Sequence, residues 1–265
     1  MNHRINRVLV VGATGSVGRH VVTEAERRGY ATRALVREAR RASAVLPEST
    51  ELVVGDITRA DTLADAVRDV DGIVFVHGSH GGKEEARAID YGGVRNVLDA
   101  LESGMPHVAL MTAIGVTVRD GAYNRQTQIH DWKRRAERLV RRSGLPYTIV
   151  RPGWFDYNDP DQHQLVFLQG DLRRAGSAAD GVIARSQIAE VLVAGLGSVA
   201  ADRKTFELVA EKGPAQPDME PLFAALDPDP AGAYDAARDI ANQPLEDEPA
   251  SVRADLDHIT QRSNA

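Results

Sequence analysis

The sequence predicts an α/β protein: a Rossmann-type doubly wound parallel sheet with helices on both faces and a small C-terminal region covering one end. Three observations predict it. Apolar strands alternate with helical patterns through the first two-thirds of the 265 residues, and repeated βα units imply a parallel sheet. Strands such as VLVV at 8–11 and IVFV at 73–76 are apolar on both sides, as strands buried on two faces must be. Glycine or proline marks the joints at Gly29, Gly104, Pro106, Gly144 and Pro146.

In order, the strand candidates are Arg7–Val11, Thr32–Val36, Glu51–Val54, Gly72–Val76, His107–Met111 and Tyr147–Val150. Helical patterns lie between them at Val17–Arg28, Glu38–Val45, Thr62–Asp69, Lys83–Ser103 and Gln128–Arg142. Beyond Arg151 the rhythm breaks. Residues 153–181 read as loop with short extended pieces, followed by a helix at Ser186–Leu196 and a strand at Thr205–Val209. Residues 213–232 are rich in proline. The tail reads either as a last amphipathic helix around Val252, Leu256 and Ile259 or as partly disordered chain. This divides the protein into a nucleotide-binding core over 1–155, a covering region over 156–226 interleaved with it, and an acidic tail over 227–265.

The composition, 43% hydrophobic and 26% charged, is ordinary for a soluble globular protein. Absence of cysteine excludes disulfides, thiolate metal sites and cysteine nucleophiles and is compatible with the cytoplasm, the expected location. No stretch approaches the ~18 apolar residues of a membrane span, and no N-terminal run reads as a signal peptide. From Asp227 onward there are nine acids and three arginines, a balance of −6 that equals the net charge of the whole chain. An acidic tail on a neutral body argues against nucleic acid as a partner. The basic run at 133–142 therefore reads as a solvated helix face.

The most specific local pattern is RVLVVGATGSVGRHVV at 7–22. Gly12, Gly15 and Gly18 follow a doubly buried strand and open a helix, with Thr14, Ser16 and Val17 between them. In that position Gly12 allows a sharp turn, Gly15 lets the backbone approach a pyrophosphate, and Gly18 lets helix pack on strand. The helix start supplies amide N–H groups and partial positive charge for phosphates. A purely structural glycine turn is the competing reading. At the end of the second strand, about twenty residues on, an NAD-preferring protein places an acid against the ribose 2′-hydroxyl. Here Arg37 stands there, and a guanidinium can pair bidentately with a 2′-phosphate. NADP(H) is the expected cofactor.

The stretch TQIHDWKRRAERLVRR at 127–142 raises a different question. On a helical projection Ile129, Trp132, Ala136, Leu139 and Val140 share one side, and Arg134, Arg135, Arg138, Arg141 and Arg142 fall opposite, pointing to water. Lys133 falls with the apolar set. It is either a lysine snorkelling at a core edge or one aimed inward at an anion.

The segments VLVVGATGSVG, GDI at 55–57, IDYGGVRNVLDAL at 89–101, MTAIGVT at 111–117, WKRRAERLVRRSGLPYTIVRPGWF at 132–155 and IARSQIAEVLVAGL at 183–196 occur in one order. Together they resemble an atypical short-chain dehydrogenase/reductase of the NmrA-like group, over roughly residues 5–210. The resemblance implies that Asp56 and Ile57 flank the adenine, that Val76, His77 and Gly78 line the adenosine ribose, and that Lys133 reaches the nicotinamide ribose. It places Pro152, Gly153, Trp154 and Phe155 in the backbone turn under the carboxamide. It also exposes a departure. Where full-triad relatives carry a tyrosine four residues before the lysine, this chain has Ile129; the serine position holds Ala113, with Thr112 before it. The phenol that hands a proton to a substrate oxygen is missing. Lys133, Thr112 and Tyr123 are the catalytic candidates, Tyr123 because its segment leads into the lysine helix. His163 is a weaker proton-donor candidate. His77 and His80 lack a third ligand, so no metal is expected. Trp154, Phe155 and Tyr157 either wall a pocket for a flat substrate or pack in the core.

Two functions follow as expectations. The first is an NADPH-dependent oxidoreductase that passes hydride to a small organic acceptor needing little acid help, such as a quinone, a flavin or a conjugated carbonyl. The second is a non-catalytic NADP(H)-binding redox sensor that signals to a protein partner. A sugar-nucleotide epimerase is third, because that chemistry uses the missing tyrosine. A small-molecule substrate is expected, with no nucleic acid and no membrane; exposed helix faces leave a homodimer open.

Overall fold

A computed structural model describes residues 5–102 and 104–263. Its strands are β1 (Arg7–Val11), β2 (Ala31–Val36), β3 (Glu51–Val54), β4 (Gly72–Phe75), β5 (His107–Met111), β6 (Tyr147–Pro152), β7 (Trp154–Phe155), β8 (Gln164–Leu168), β9 (Val182–Ile183) and β10 (Lys204–Glu211). The helices are α1 (Gly18–Arg27), α2 (Ala39–Ala42), α3 (Ala64–Val67), α4 (Lys83–Glu85), α5 (Gly92–Ala100), α6 (Ala122–Thr127), α7 (Ile129–Arg142), α8 (Arg185–Gly197), α9 (Glu220–Ala224) and α10 (Ala250–Ser263). A π-helical segment, Ala86–Tyr91, joins α4 to α5. The helix predicted to Ser103 ends at Ala100; Ser103 itself, like Met1–Arg4, lies outside the described residues.

The sheet runs β3-β2-β1-β4-β5-β6-β10-β9-β7, with β8 paired to β10. From β3 to β6 this is the doubly wound order 3-2-1-4-5-6, whose chain reversal between β1 and β4 opens a crevice at the strands' carboxyl ends. β10 extends the parallel set beside β6, and β8 and β9 run antiparallel to β10. Alternation along β1 shows how both faces are filled. Val8 and Val10 join one core with Val21, Val22 and Ala25 of α1 and Ile188 and Leu192 of α8. Leu9 and Val11 join the other with Val94 and Val97 of α5 and Leu139 and Val140 of α7. Val8 to Val11 have no exposed surface, and each such side chain contributes about 1.5–3 kcal/mol by burial.

One expectation fails here. The arginines of α7 do not point to water: Arg134, Arg135, Arg138 and Arg141 are all buried. The tail is what covers them. Arg134 Nε donates to Asp235 at 3.1 Å, and its Nη2 to the Ile240 carbonyl at 2.8 Å. Arg135 pairs with Glu248 at 2.6 Å, Arg138 with both Glu248 and Asp235 at 2.7 and 2.9 Å, and Arg141 with Asp229 at 3.0 Å. Arg142 donates to the Gly232 carbonyl at 2.6 Å. Of the two readings of the tail, the amphipathic helix holds: α10 buries Val252, Leu256 and Ile259 in the core that α7 shares. A helical projection of α7 alone shows a polar face; it cannot show that acids about a hundred residues away are built to cover it.

The same network continues inward. Arg151 of β6 pairs with Glu137 at 2.7 Å, with Asp239 of the tail at 2.7 Å and with Glu207 of β10 at 3.2 Å. Burial alone would raise Glu137, but Arg151 and Arg141 hold its carboxyl down at about 2. Glu207 goes the other way: burial outweighs Arg151, and nearby Asp171 adds to the rise, leaving it at about 7. No helix of the described residues is long and apolar enough to cross a membrane.

Candidate functional site

The carboxyl ends of β1, β4, β5 and β6 bring most of the expected site residues to one edge. Gly12 turns the chain at φ +93°, and a Cβ there would lie 2.7 Å from the His77 amide nitrogen. Only glycine lets the β1 turn lie against the residues that follow β4. A Cβ on Gly18 would overlap the Gly12 carbonyl, so the helix sits hard on the turn. Gly15 is different: a Cβ there would meet the Gly12 oxygen alone, at 3.1 Å, and Thr14, Gly15 and Ser16 are exposed. The turn is tight behind and open in front, which fits a backbone cradle for a pyrophosphate. The Val17 side chain lies in the core, 3% exposed, so only its peptide can serve a ligand.

At the end where the adenosine is expected, Arg37 is exposed and forms no ion pair among the described residues. Asp56 is held below the usual carboxylate range by the Thr58 amide, at 2.9 Å, and the Thr58 hydroxyl, with Arg37 and Arg59 helping. One Asp56 oxygen is thereby taken. Ile57 packs beside Gly93, and its carbonyl accepts from Asn96 Nδ2 at 2.7 Å. The Val76 side chain is buried. His77 turns its ring inward, with Nε2 3.0 Å from the Ile89 carbonyl. Burial keeps that imidazole neutral, its pKa lowered to about 4, so His77 offers a ligand its backbone and not its ring.

Lys133 settles the question its position raised. Its Nζ lies 2.8 Å from Oδ1 of Asp90, a side chain 1% exposed. The ammonium is aimed inward at an anion, and that anion is part of the protein. Ser79 Oγ donates to the other Asp90 oxygen at 2.5 Å, and a Cβ on Gly78 would be 3.6 Å from Asp90 and 3.8 Å from Lys133 Nζ. Gly78, Ser79, Asp90 and Lys133 therefore form one polar cluster at the carboxyl edge. Sequence reasoning missed Asp90. Its signal was available, an acid inside the apolar helical run IDYGGV, but the π turn that swings it toward Lys133 is a feature of the folded chain. Such turns recur at functional sites.

Thr112 is a correction. Its hydroxyl donates to Glu137 Oε1 at 2.7 Å in the buried network and is not turned to the site. Tyr123 is half exposed and packs edge-on against His130 with ring centroids 5.5 Å apart. Burial and the charge of Asp90 raise its phenol pKa, which keeps the proton on. His163 is exposed on the loop before β8. In the turn after β6, the amides of Gly153 and Trp154 donate to the Leu208 and Gly181 carbonyls, each at 2.9 Å. A Cβ on Gly153 would press on the Gly181 oxygen at 2.5 Å. The Pro152 carbonyl accepts from Ile114 at 3.0 Å. Strand alternation turns the Phe155 peptide the other way, so Phe155 is the backbone position of this turn that remains for a ligand. Trp154 and Tyr157 are exposed and meet edge-to-face at 6.2 Å; they rim the edge and do not pack in the core.

A sequence family described as NAD(P)H-binding matches residues 12–198. Sanguinarine reductase of Eschscholzia californica is 26% identical, over 83% of this chain and 95% of its own. The chloroplastic protein TIC 62 of Oryza sativa is 31% identical over 75% of this chain, though that match spans only 44% of the longer protein. Among solved structures, a Bacillus halodurans protein named as an NAD-dependent epimerase/dehydratase superposes with a TM-score of 0.67 at 27% identity, over 79% of this chain and 96% of that one.

Proposed function

The chain belongs to the NAD(P)H-binding family of atypical short-chain dehydrogenases/reductases and is an NAD(P)-dependent oxidoreductase; from that premise we propose that it uses NADPH to reduce a planar organic acceptor, such as a quinone, a flavin or a conjugated carbonyl. The observation that carries the choice of acceptor is the state of the proton-handling positions. Ile129 is buried, Ala113 has no hydroxyl, and the Thr112 hydroxyl is held by Glu137. Acceptors that take hydride without a strong acid suit such a site.

The bound dinucleotide supplies the hydride. The protein's own contribution is binding and orientation. The glycine turn receives the pyrophosphate, Arg37 selects a 2′-phosphate over a bare hydroxyl, and Lys133, fixed by Asp90, presents its remaining donors to the nicotinamide ribose. The exposed rings of Trp154 and Tyr157 offer a surface on which a flat acceptor stacks. To Tyr123, whose phenol stays protonated, this reading assigns a hydrogen bond to the acceptor.

NADPH consumption against a panel of quinones, flavins, enones and aldehydes, with NADH in parallel, tests this. Turnover that prefers NADPH is the expected result. The sensor reading draws support from the same missing hydroxyls. Tight NADPH binding with no turnover on any acceptor would establish it instead.

A further inference from the structure

One side chain that was not among the site candidates of the sequence touches two points on the expected cofactor path, the glycine turn and the turn after β6. Arg185 opens α8, on the covering side of the molecule. Its Nε donates to Ser16 Oγ, in the glycine turn, at 3.0 Å. Its Nη1 pairs with Asp156, and its backbone N–H donates to Asp156 Oδ1 at 3.0 Å. The guanidinium also lies 5.1 Å from the centre of the Phe155 ring. Nη2 has no partner among the described residues.

We propose that Arg185 is a pyrophosphate-binding residue, the counterpart from the covering region to the amides of the glycine turn. The inference rests on dinucleotide binding at that turn. A guanidinium bonded to Ser16 stands at the mouth of the cradle, and its planar fork matches a phosphate. Asp156 holds that fork while no phosphate does. Its peptide is fixed by donation to the Ile183 carbonyl at 2.8 Å, with φ at +56°. Burial would raise the Asp156 carboxyl, but hydrogen bonds from Arg185 keep it ionised, below the usual range. The arriving phosphate takes over from Asp156 as the partner of an already charged, already placed arginine. Because Arg185 begins α8, cofactor occupancy and the seating of the covering region meet at one residue.

The test is dissociation constants for NADPH and NADH on the full chain, read by quenching of intrinsic fluorescence, with inorganic pyrophosphate as competitor. Arg185→Ala is expected to weaken both dinucleotides by about ten- to a hundredfold. It should leave their ratio unchanged, since the pyrophosphate is common to both, and should weaken competition by pyrophosphate. Arg185→Lys should fall between. Asp156→Asn breaks the same ion pair and removes the anion that competes for the guanidinium, so it should leave affinity unchanged or tighten it.

Loss of affinity in Asp156→Asn equal to that in Arg185→Ala would overturn the proposal, because the pair would then be a structural staple. So would an Arg185→Ala protein that binds within twofold of the wild type, or one whose NADPH to NADH ratio shifts. Wild-type protein that binds neither dinucleotide would overturn the underlying reading as well, and that outcome is visible before any variant is made.

Discussion

Two groups of arginines in this molecule contrast, and the dense one is not the one beside the glycine turn. Five crowd α7 between Arg134 and Arg142, and four of these are buried. Each of the five is met by an acid or a carbonyl from the tail. Arg37 and Arg185 stand apart, partly or wholly exposed, on either side of the glycine turn. The first group is satisfied from within; the second has donors to spare. A buried cation whose carboxylate partners are fixed has no charge to offer a ligand, whatever the local density of basic residues. What marks a binding arginine is an incomplete set of partners at an open edge.

The sharpest way to break that contrast is to remove a buried arginine. Arg138→Ala takes from Glu248, a side chain 1% exposed, and from Asp235 one of the two arginines that each pairs with, and leaves the buried network with an excess of negative charge. The expected loss is about 3–5 kcal/mol in urea unfolding, while NADPH affinity of the folded protein stays within twofold. A loss below about 1 kcal/mol would show that the tail network is solvated and that the contrast is false.

Next in size is a pH effect at the inner end of the network. Glu207 has its pKa raised from 4.5 to about 7, so the folded state binds this proton more tightly than the unfolded chain. That contribution is full below the unfolded pKa and is lost as pH rises through about 7, up to about 3 kcal/mol in all. Glu137, lowered to about 2, acts in the opposite sense and in a separate window, losing its contribution as pH falls from 4.5 toward 2. Glu207→Gln should therefore flatten the decline in stability between pH 5 and 7 and leave the acid limb in place. An unchanged slope across pH 5–7 would remove Glu207 from the account.

Arg37→Glu sharpens the other side of the comparison. Arg37 is exposed, so stability should move by less than about 0.5 kcal/mol. NADPH binding should weaken by about ten- to a hundredfold, the value of a charge-assisted contact, with NADH spared. Equal loss for both dinucleotides would take the 2′-phosphate away from Arg37.

Much of this protein was legible along the chain. β1 and β5 fall where their apolar runs are bounded by glycine or proline, because a strand buried on both faces is filled by apolar side chains on each side. The glycine turn was legible because φ at Gly12 and the contacts of Gly18 admit no side chain, a constraint written in residue identity. Lys133 was legible as an exception to its own helix. The roles of Asp90, Thr112 and Arg185 were not. Each depends on which way a side chain is turned by a distant element: a π turn for Asp90, the Glu137–Arg151 network for Thr112, the start of α8 for Arg185.

The sequence by itself determined the order of β1 to β6, the place of the glycine turn and the gap at Ile129 and Ala113, because periodicity and steric demand are local. Only the tertiary structure decided that the acidic tail neutralises α7 rather than solvating a surface. Ion pairing depends on distance in space, and residues 229–248 reach α7 only once the sheet has brought β6 and β10 side by side.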